Sequence, residues 1–287
     1  MELIKKQIHM NQWKGNVTTQ ITLDDDFIVP DTLDDMEQVM LDTGEIQIET
    51  VKNQGDKVAV KGKLEFQVLY RKESGGLQTL GGNIPFEEVV NVQGLEEKDY
   101  VGLNWMLEDL NTDMINSRKL GVQAIITLQV RVETLRDVEA AVDVDMENNS
   151  RPAGAGMSDT DGAGQVQVET LKRTANAAAI AVRRKDTYRI KEELSLTGGK
   201  PNIGQLLWRE MKLRDVTAKP LDGRLHLDGE LSVFVIYGAE DENMPVQWLE
   251  ETIPFSGDME MGDVKEDQIP MVTVRLAHKD MEAKPDY

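Results

Sequence analysis

The sequence predicts a mainly β protein with two tandem β-sandwich-like domains, which carry short helices and are joined by a flexible linker. Three observations support this fold class. A strand-like segment occurs twice, turn residues recur about every ten residues, and a polar stretch rich in small residues separates the two halves. We expect a first domain at residues 1–145, a linker at 146–179 and a second domain at 180–287.

The repeated segment is the strongest sign of internal symmetry. Residues 58–70 (VAVKGKLEFQVLY) align without a gap with residues 225–237 (LHLDGELSVFVIY). Every second residue of each segment is apolar or glycine, which is the period of a strand with one buried face. Gly62 and Gly229 share the central position, where glycine weakens a strand unless it serves a bend or a close backbone contact. We interpret both glycines as marking a bend.

The regions that flank the repeated segment also correspond. Gly and Asp in 53–56 and in 220–223 supply the backbone conformations of hairpin loops, so a strand should precede each segment. After the segment, the tripeptide Ile-Pro-Phe occurs at 84–86 and again at 253–255. Further upstream, TTQI corresponds to TYRI, and a proline precedes a methionine at equal spacing in both halves. These landmarks are 18–21, Pro30 and Met40 in the first half, and 187–190, Pro201 and Met211 in the second.

Short helices are predicted after the two prolines. Residues 33–41 and 203–211 are each expected to form one, because each follows a proline. Asp31 or Asn202 would then serve as the N-cap of its helix.

One strand-like run distinguishes the two halves. Residues 120–132 (LGVQAIITLQVRV) follow the first copy, and the second copy has no counterpart of them. We therefore expect the second domain to be C-terminally incomplete: either it lacks an edge strand, or the natural protein is longer. An open edge of a sheet is a template for pairing with another chain.

Composition excludes several classes of partner and site. The formal net charge is −20, and such a chain repels phosphate backbones and anionic lipids, so we expect no nucleic-acid partner and no membrane insertion. The chain contains no cysteine, which excludes disulfides and a cysteine nucleophile. The first residues lack the features of a signal peptide, so we expect a cytoplasmic protein.

Sequence patterns for catalysis or metal binding are not found. The three histidines, His9, His226 and His278, are not spaced as metal ligands, and His226 falls on the polar face of a predicted strand. Neither a phosphate-binding loop nor a Gly-x-Ser-x-Gly elbow occurs. The chain has 52 acidic residues, and sequence alone does not show whether two of them face each other across a cleft, so a glycosidase site is neither predicted nor excluded. We predict a protein that is not an enzyme and has no cofactor and no metal site.

Bulky residues near the second repeated strand are candidates for contacts. Phe234 and Ile236 lie on its otherwise polar side, and Trp248 flanks it before the second Ile-Pro-Phe tripeptide. Aromatic residues are favoured in interfaces, so we predict that Trp248, Phe234 and Ile236 form an interface. Packing under a loop is the alternative for Phe234 and Ile236, whereas Trp208 is predicted to lie in the core.

The order of these landmarks resembles the SPOCS domain of SipL-like spore-coat morphogenetic proteins. The resemblance rests on the proline, the stretch ending in methionine, the hairpin, the glycine-containing strand that ends in tyrosine, Ile-Pro-Phe, and 183–196 (RRKDTYRIKEELSL). It covers nearly the whole chain except the linker. Members of this family usually carry tandem SPOCS domains followed by a C-terminal LysM domain. No LysM-like segment is found here, which suggests a truncated protein.

The resemblance implies a structural role in spore-coat assembly. It implies a scaffold in the mother-cell cytoplasm that acts by protein–protein interaction at the forespore surface and in the spore coat. Spore coat proteins are the implied partners; the coat-basement ATPase of stage IV sporulation is another, although the family binds it largely through LysM. A carbohydrate-binding module for cortex or cell-wall glycan is the alternative, and an enzyme with dispersed carboxylates is a further one. We expect the first domain alone to be stable, and the second alone to be less stable or to associate.

Overall fold

The chain is described by a computed structural model over residues 2–145, 171, 173–174, 179–196 and 198–284. The predicted linker at 146–179 lies almost entirely outside these residues. The described residues are mainly β, as predicted, and contain no helix, so none of them could cross a membrane as a helical span. The strands are β1 (Glu2–Ile28), β2 (Met36–Asn53), β3 (Lys57–Lys72), β4 (Leu77–Asn91), β5 (Tyr100–Asn116), β6 (Lys119–Asp145), β7 (Ile203–Leu221), β8 (Arg224–Ala239) and β9 (Val246–Glu260).

The two predicted short helices are wrong. Residues 33–41 form the end of a turn and the start of β2, and residues 203–211 form the first half of β7. Both strands pair with a central strand, β3 or β8, along nearly their whole length. The ladder satisfies the backbone donors and acceptors and overrides the local preference of the side chains. Asp31 and Asn202 consequently cap no helix.

Strand pairing fixes how the two repeats correspond. Met36 and Ile203, the first residues of β2 and β7, are equivalent, because each lies opposite the last residue of its central strand. Pro201 is therefore equivalent to Asp34, and its expected correspondence with Pro30 is wrong by four residues. The same shift applies to the methionine pair, Met40 and Met211.

Two three-stranded antiparallel sheets form the first repeat. Their orders are β1-β6-β5 and β2-β3-β4, so β6 and β3 are the central strands. The sheets enclose one apolar core, in which Leu64, Val68, Ile126 and Leu128 are fully buried. Strand geometry directs every second side chain into this core, and each such side chain contributes about 1.5–3 kcal/mol of hydrophobic stabilisation. The first repeat is thus the β-sandwich that the sequence predicted.

Gly62 and Gly229 each face an aromatic ring on the neighbouring strand. Gly62 pairs with Phe86, and Gly229 pairs with Phe255, the last residues of the two Ile-Pro-Phe tripeptides. A Cβ atom on Gly62 would lie 2.6 Å from the carbonyl oxygen of Gln47 and 2.7 Å from the Phe86 ring. On Gly229 it would lie 2.6 Å from the Phe255 ring. The glycines are needed for this close packing, whereas the sequence interpretation favoured a bend.

The second repeat contains one three-stranded sheet, β7-β8-β9, within the described residues. Residues 179–196 and 269–284 lie beside this sheet and form no strand. Their spacing from TYRI and from the second Ile-Pro-Phe makes them the counterparts of β1 and β5. The core supports this assignment: Leu276 packs in the same cluster as Met211, and their first-repeat equivalents, Leu107 and Gly44, also lie in contact.

The strand without a counterpart is central in its sheet, so the expectation of a missing edge strand is wrong. β6 contains residues 120–132 and pairs with both β1 and β5. Its seven inward-facing apolar side chains, from Leu120 to Val132, are at most 2% exposed. Among the described residues of the second repeat, no strand joins the counterparts of β1 and β5 in this way.

Candidate functional site

The three residues predicted to form an interface lie close together on β8 and β9. Ile236 pairs with Trp248, and the ring centroids of Phe234 and Trp248 are 6.4 Å apart. Phe234 and Ile236 are half-buried, because they pack against an apolar cluster at the contact between the two repeats. The buried members of this cluster are Leu69 from the first repeat and Leu207 and Trp208 from the second. Trp208 is thus buried, as predicted.

Trp248 remains at the surface. Its side chain is 54% exposed, and the Lys200 ammonium lies 4.7 Å from its ring centroid. At the contact between the repeats, the Thr79 hydroxyl donates a hydrogen bond to the carbonyl oxygen of Leu207. The use of Trp248, Phe234 and Ile236 to bind another protein stays a prediction.

Four aromatic rings carry a cation over one face, and three of them, Trp13, Tyr100 and Trp248, are more than half exposed. A sugar ring stacks on an open aromatic face, so a cation already placed there competes with it. This geometry disfavours the carbohydrate-binding alternative. The pairs are Arg131 with Trp13, Arg183 with Tyr100, Arg275 with Trp105 and Lys200 with Trp248, at 3.9 to 4.8 Å.

A Ser-His-Asp arrangement lies across β8 and β9. His226 Nδ1 is 2.5 Å from Asp258 Oδ1, and Ser256 Oγ is 3.3 Å from His226 Nε2. Asp228 Oδ2 lies 3.1 Å from the same Nε2. The sequence interpretation placed His226 on the polar face but missed these partners. The hairpin register could have found them, because pairing Gly229 with Phe255 sets His226 opposite Asp258.

Two neighbouring carboxylates raise the pKa of His226. The hydrogen bond to Asp258 raises the pKa of His226 above its ordinary value, and the charge of Asp228 raises it further. Each ring nitrogen of His226 faces a carboxylate, and Asp228 lies closer to Nε2 than the Ser256 hydroxyl does. The contact with Asp258 links β8 to β9.

His9 and His278 do not belong to the arrangement around His226. His9 Nδ1 lies 2.6 Å from Asp137 Oδ1, across β1 and β6. His278 belongs to the counterpart of β5. Across the described ranges, no group of three or more histidine and acidic side chains could hold a metal ion.

A buried carboxylate, Asp99, lies beside Lys14 in the first repeat. The Asp99 side chain is inaccessible, and its Oδ2 is 2.8 Å from Lys14 Nζ, which also contacts Glu96 at 3.0 Å. Burial acts to raise the pKa of Asp99, but hydrogen bonds from Lys14 and from the Glu96 amide lower it overall. The pKa of Glu96 is also lowered, by hydrogen bonds with Lys98 and Lys14. A glycosidase needs one carboxyl with a raised pKa, so this pair does not fit that chemistry.

The counterparts of β1 and β5 in the second repeat form an open apolar face. Tyr188, Leu194, Val272 and Val274 on these segments are each more than a third exposed. A cleft of about 210 Å³ lies between residues 270–274 and β7. We call residues 179–196 and 269–284 the open segments; together with this cleft they are the candidate binding site of the described chain.

Cations from the open segments also contact the acidic first repeat. Arg183 forms an ion pair of 2.6 Å with Glu133. Lys279 forms one of 2.5 Å with Glu45. These contacts place the open segments next to the first repeat, without burying their apolar side chains.

The repeated three-stranded sheet defines a tandem all-β protein. Residues 35–115 and 202–284 match the family model described as SipL, SPOCS domain, and together they cover more than half of the chain. The chain belongs to this family. The two matched regions begin beside the first residues of β2 and β7, and the second includes 269–284, in agreement with its assignment as the counterpart of β5. Searches found no matching curated protein and no matching solved structure.

Proposed function

We propose that the protein is a non-enzymatic scaffold of bacterial spore-coat assembly, located in the mother-cell cytoplasm at the forespore surface. The observation that carries the proposal is the SPOCS match in both repeats, because this family indicates a sporulation-related protein. The arrangement of the described residues is consistent with binding rather than catalysis, since the one Ser-His-Asp group is held by two carboxylates.

The proposed mechanism is burial of apolar surface against coat proteins. Trp248 and the open segments both present large apolar side chains to solvent, and such patches mark interaction surfaces in soluble proteins. Two such surfaces on one chain raise the strength of binding when both are engaged together. The coat-basement ATPase of stage IV sporulation is a further candidate partner.

Capture from sporulating cells tests this function. The immobilised chain should retain coat proteins that mass spectrometry identifies, and a fluorescent fusion should surround the forespore. Trp248→Ala should reduce capture, whereas Glu250→Ala, on the same face of β9, should not. Capture of no coat protein, together with a diffuse fusion, would contradict the proposal. Retention on purified cortex glycan in their place would favour the carbohydrate-binding alternative.

A further inference from the structure

We infer that the second repeat binds an acidic β-strand of a partner protein, with apolar residues at alternate positions, in the place that β6 holds in the first repeat. This inference rests on the proposed function for its partner, and it adds the chemistry by which that partner is recognised. Three observations carry it: the position of the open segments, their exposed apolar side chains and their charge.

The first observation concerns backbone pairing. In the first repeat, β6 pairs on one side with β1, for example Ile126 with Ile21, and on the other side with β5, for example Val130 with Leu103. The equivalents of Ile21 and Leu103 are Ile190 and Val272 on the open segments. Within the described ranges, no backbone–backbone hydrogen bond engages residues 179–196 or 269–284. An extended chain placed between two such segments can bond to both of them.

The second observation concerns burial. Leu103 and Trp105 on β5 pack against the core of the first repeat, which β6 helps to form. Their equivalents, Val272 and Val274, are 43% and 37% exposed and line the cleft beside β7. A strand with apolar residues at alternate positions would bury these side chains on one face and leave its polar face in water. The occupant therefore has the period-two pattern of β6.

The third observation concerns charge. Residues 14–22 of β1 contain one basic residue, whereas the equivalent residues 183–191 contain five basic residues and one acidic residue. Lys185, Arg189 and Lys191 form no ion pair with any described residue. A basic strip on a chain of net charge −20 selects acidic partners by charge complementarity. This charge is what distinguishes the expected strand from β6 itself.

A second copy of the chain is a poorer occupant. The inward-facing apolar side chains of its β6 are at most 2% exposed and would have to leave their own core. That transfer exposes as much apolar surface as it covers. A partner that offers an unpaired strand has no such cost.

Synthetic peptides test the inference on the full chain. The first peptide has the sequence of residues 119–133 with Thr127→Glu and Arg131→Glu. In the β6 register these positions lie beside the equivalents of Arg189 and Lys185. The second peptide has the unchanged sequence. The third carries both glutamates together with Ile126→Asn and Val130→Asn, which interrupt the apolar alternation.

Binding is measured by fluorescence polarisation and located by hydrogen–deuterium exchange. We expect the acidic peptide to bind about tenfold more tightly than the unchanged one, and the third not to bind. Amide protection should rise in 179–196 and 269–284. Arg189→Glu in the protein should remove the preference for the acidic peptide. Absence of binding, or protection confined to other residues, overturns the inference.

Further outcomes separate the alternatives. Capture of coat proteins without protection of the open segments overturns this inference and leaves the proposed function standing. Peptide binding with protection, but no capture of coat proteins and a diffuse fusion, overturns the proposed function instead. Amide protection of the open segments that rises with protein concentration assigns the β6-like position to a second copy of the chain. Protection in a longer form of the polypeptide that no longer binds peptide assigns this position to the chain itself. Either result overturns the inference of a partner's strand.

Discussion

Tyr70 and Tyr237 occupy the same position in the two repeats, and each ties the end of its central strand to the chain that precedes the sheet. Both side chains are fully buried. The Tyr70 hydroxyl lies 3.0 Å from the carbonyl oxygen of Asp34, and the Tyr237 hydroxyl lies 3.2 Å from that of Pro201, the equivalent residue. Burial raises the pKa of both phenols, so each stays a neutral hydrogen-bond donor. The same tie in both halves is independent support for the repeat.

Tyr70→Phe and Tyr237→Phe should each lower the free energy of unfolding by about 1 kcal/mol, because each removes a buried hydroxyl donor without leaving a cavity. The acceptors are the carbonyl oxygen of Asp34 and Gln78 Oε1 for Tyr70, and the carbonyl oxygen of Pro201 for Tyr237. Denaturant unfolding followed by circular dichroism measures the change. Tyr188→Phe is the control, since its hydroxyl bonds to the Ser256 carbonyl at the exposed surface. An equal loss in the control would show that the buried position has no special role.

Gly62→Ala and Gly229→Ala should be destabilising by about 1–3 kcal/mol, because the new methyl group meets the facing phenylalanine ring in a filled core. Gly102→Ala is the matched control: it lies in β5, and its Cβ would find no atom closer than 3.6 Å. Thermal unfolding of the three variants gives the comparison. If Gly62→Ala is as stable as Gly102→Ala, the close packing against Phe86 is not what requires glycine.

Much of the fold could be predicted from the period-two pattern of β3 and β8, because alternate burial directly determines which side chains are apolar. The first half of β7 could not: its apolar residues also suit a helix, and only the presence of β8 beside it decides for a strand. The central position of β6 could not be predicted either, since the order of strands in a sheet depends on contacts between residues that are far apart in the sequence.

The second repeat should lose stability as the pH rises through the raised pKa of His226. Hydrogen bonding to Asp258 raises this pKa in the folded state, so the stabilising contribution is fully present below the ordinary value of 6.5 and disappears above the folded value. Urea unfolding between about pH 6 and pH 9 should show the decline, and imidazole titration by NMR should show the shifted pKa. His226→Gln should flatten this part of the pH profile. An unchanged profile in that variant would assign the pH dependence to another group.

Leu69→Ala in the first repeat should change the environment of Trp208 in the second, because the two side chains share one buried cluster. Incorporation of 5-fluorotryptophan allows this to be seen as a shift of the Trp208 fluorine resonance. Val89→Ala, on the exposed side of β4, is the control and should leave the resonance in place. An unmoved resonance in Leu69→Ala would mean that the repeats do not meet at this cluster.

The candidate site was only partly visible in the sequence. Phe234 and Ile236 stood out because apolar residues on a polar face need a cover, but the pattern could not say that the first repeat provides it. Few features of the sequence indicated that the open segments would be exposed. Their exposure depends on the absence of a central strand from the described second repeat, and the sequence interpretation had placed that strand at an edge.

Amide hydrogen exchange on the free 287-residue chain tests the central claim most directly. The account predicts strong protection of β3 and β8, which are the equivalent central strands of their sheets, and rapid exchange throughout 179–196 and 269–284. Slow exchange in both open segments, or rapid exchange in β8, would contradict the claim that the second repeat shares the sheet of the first and that its open segments pair with no strand among the described residues.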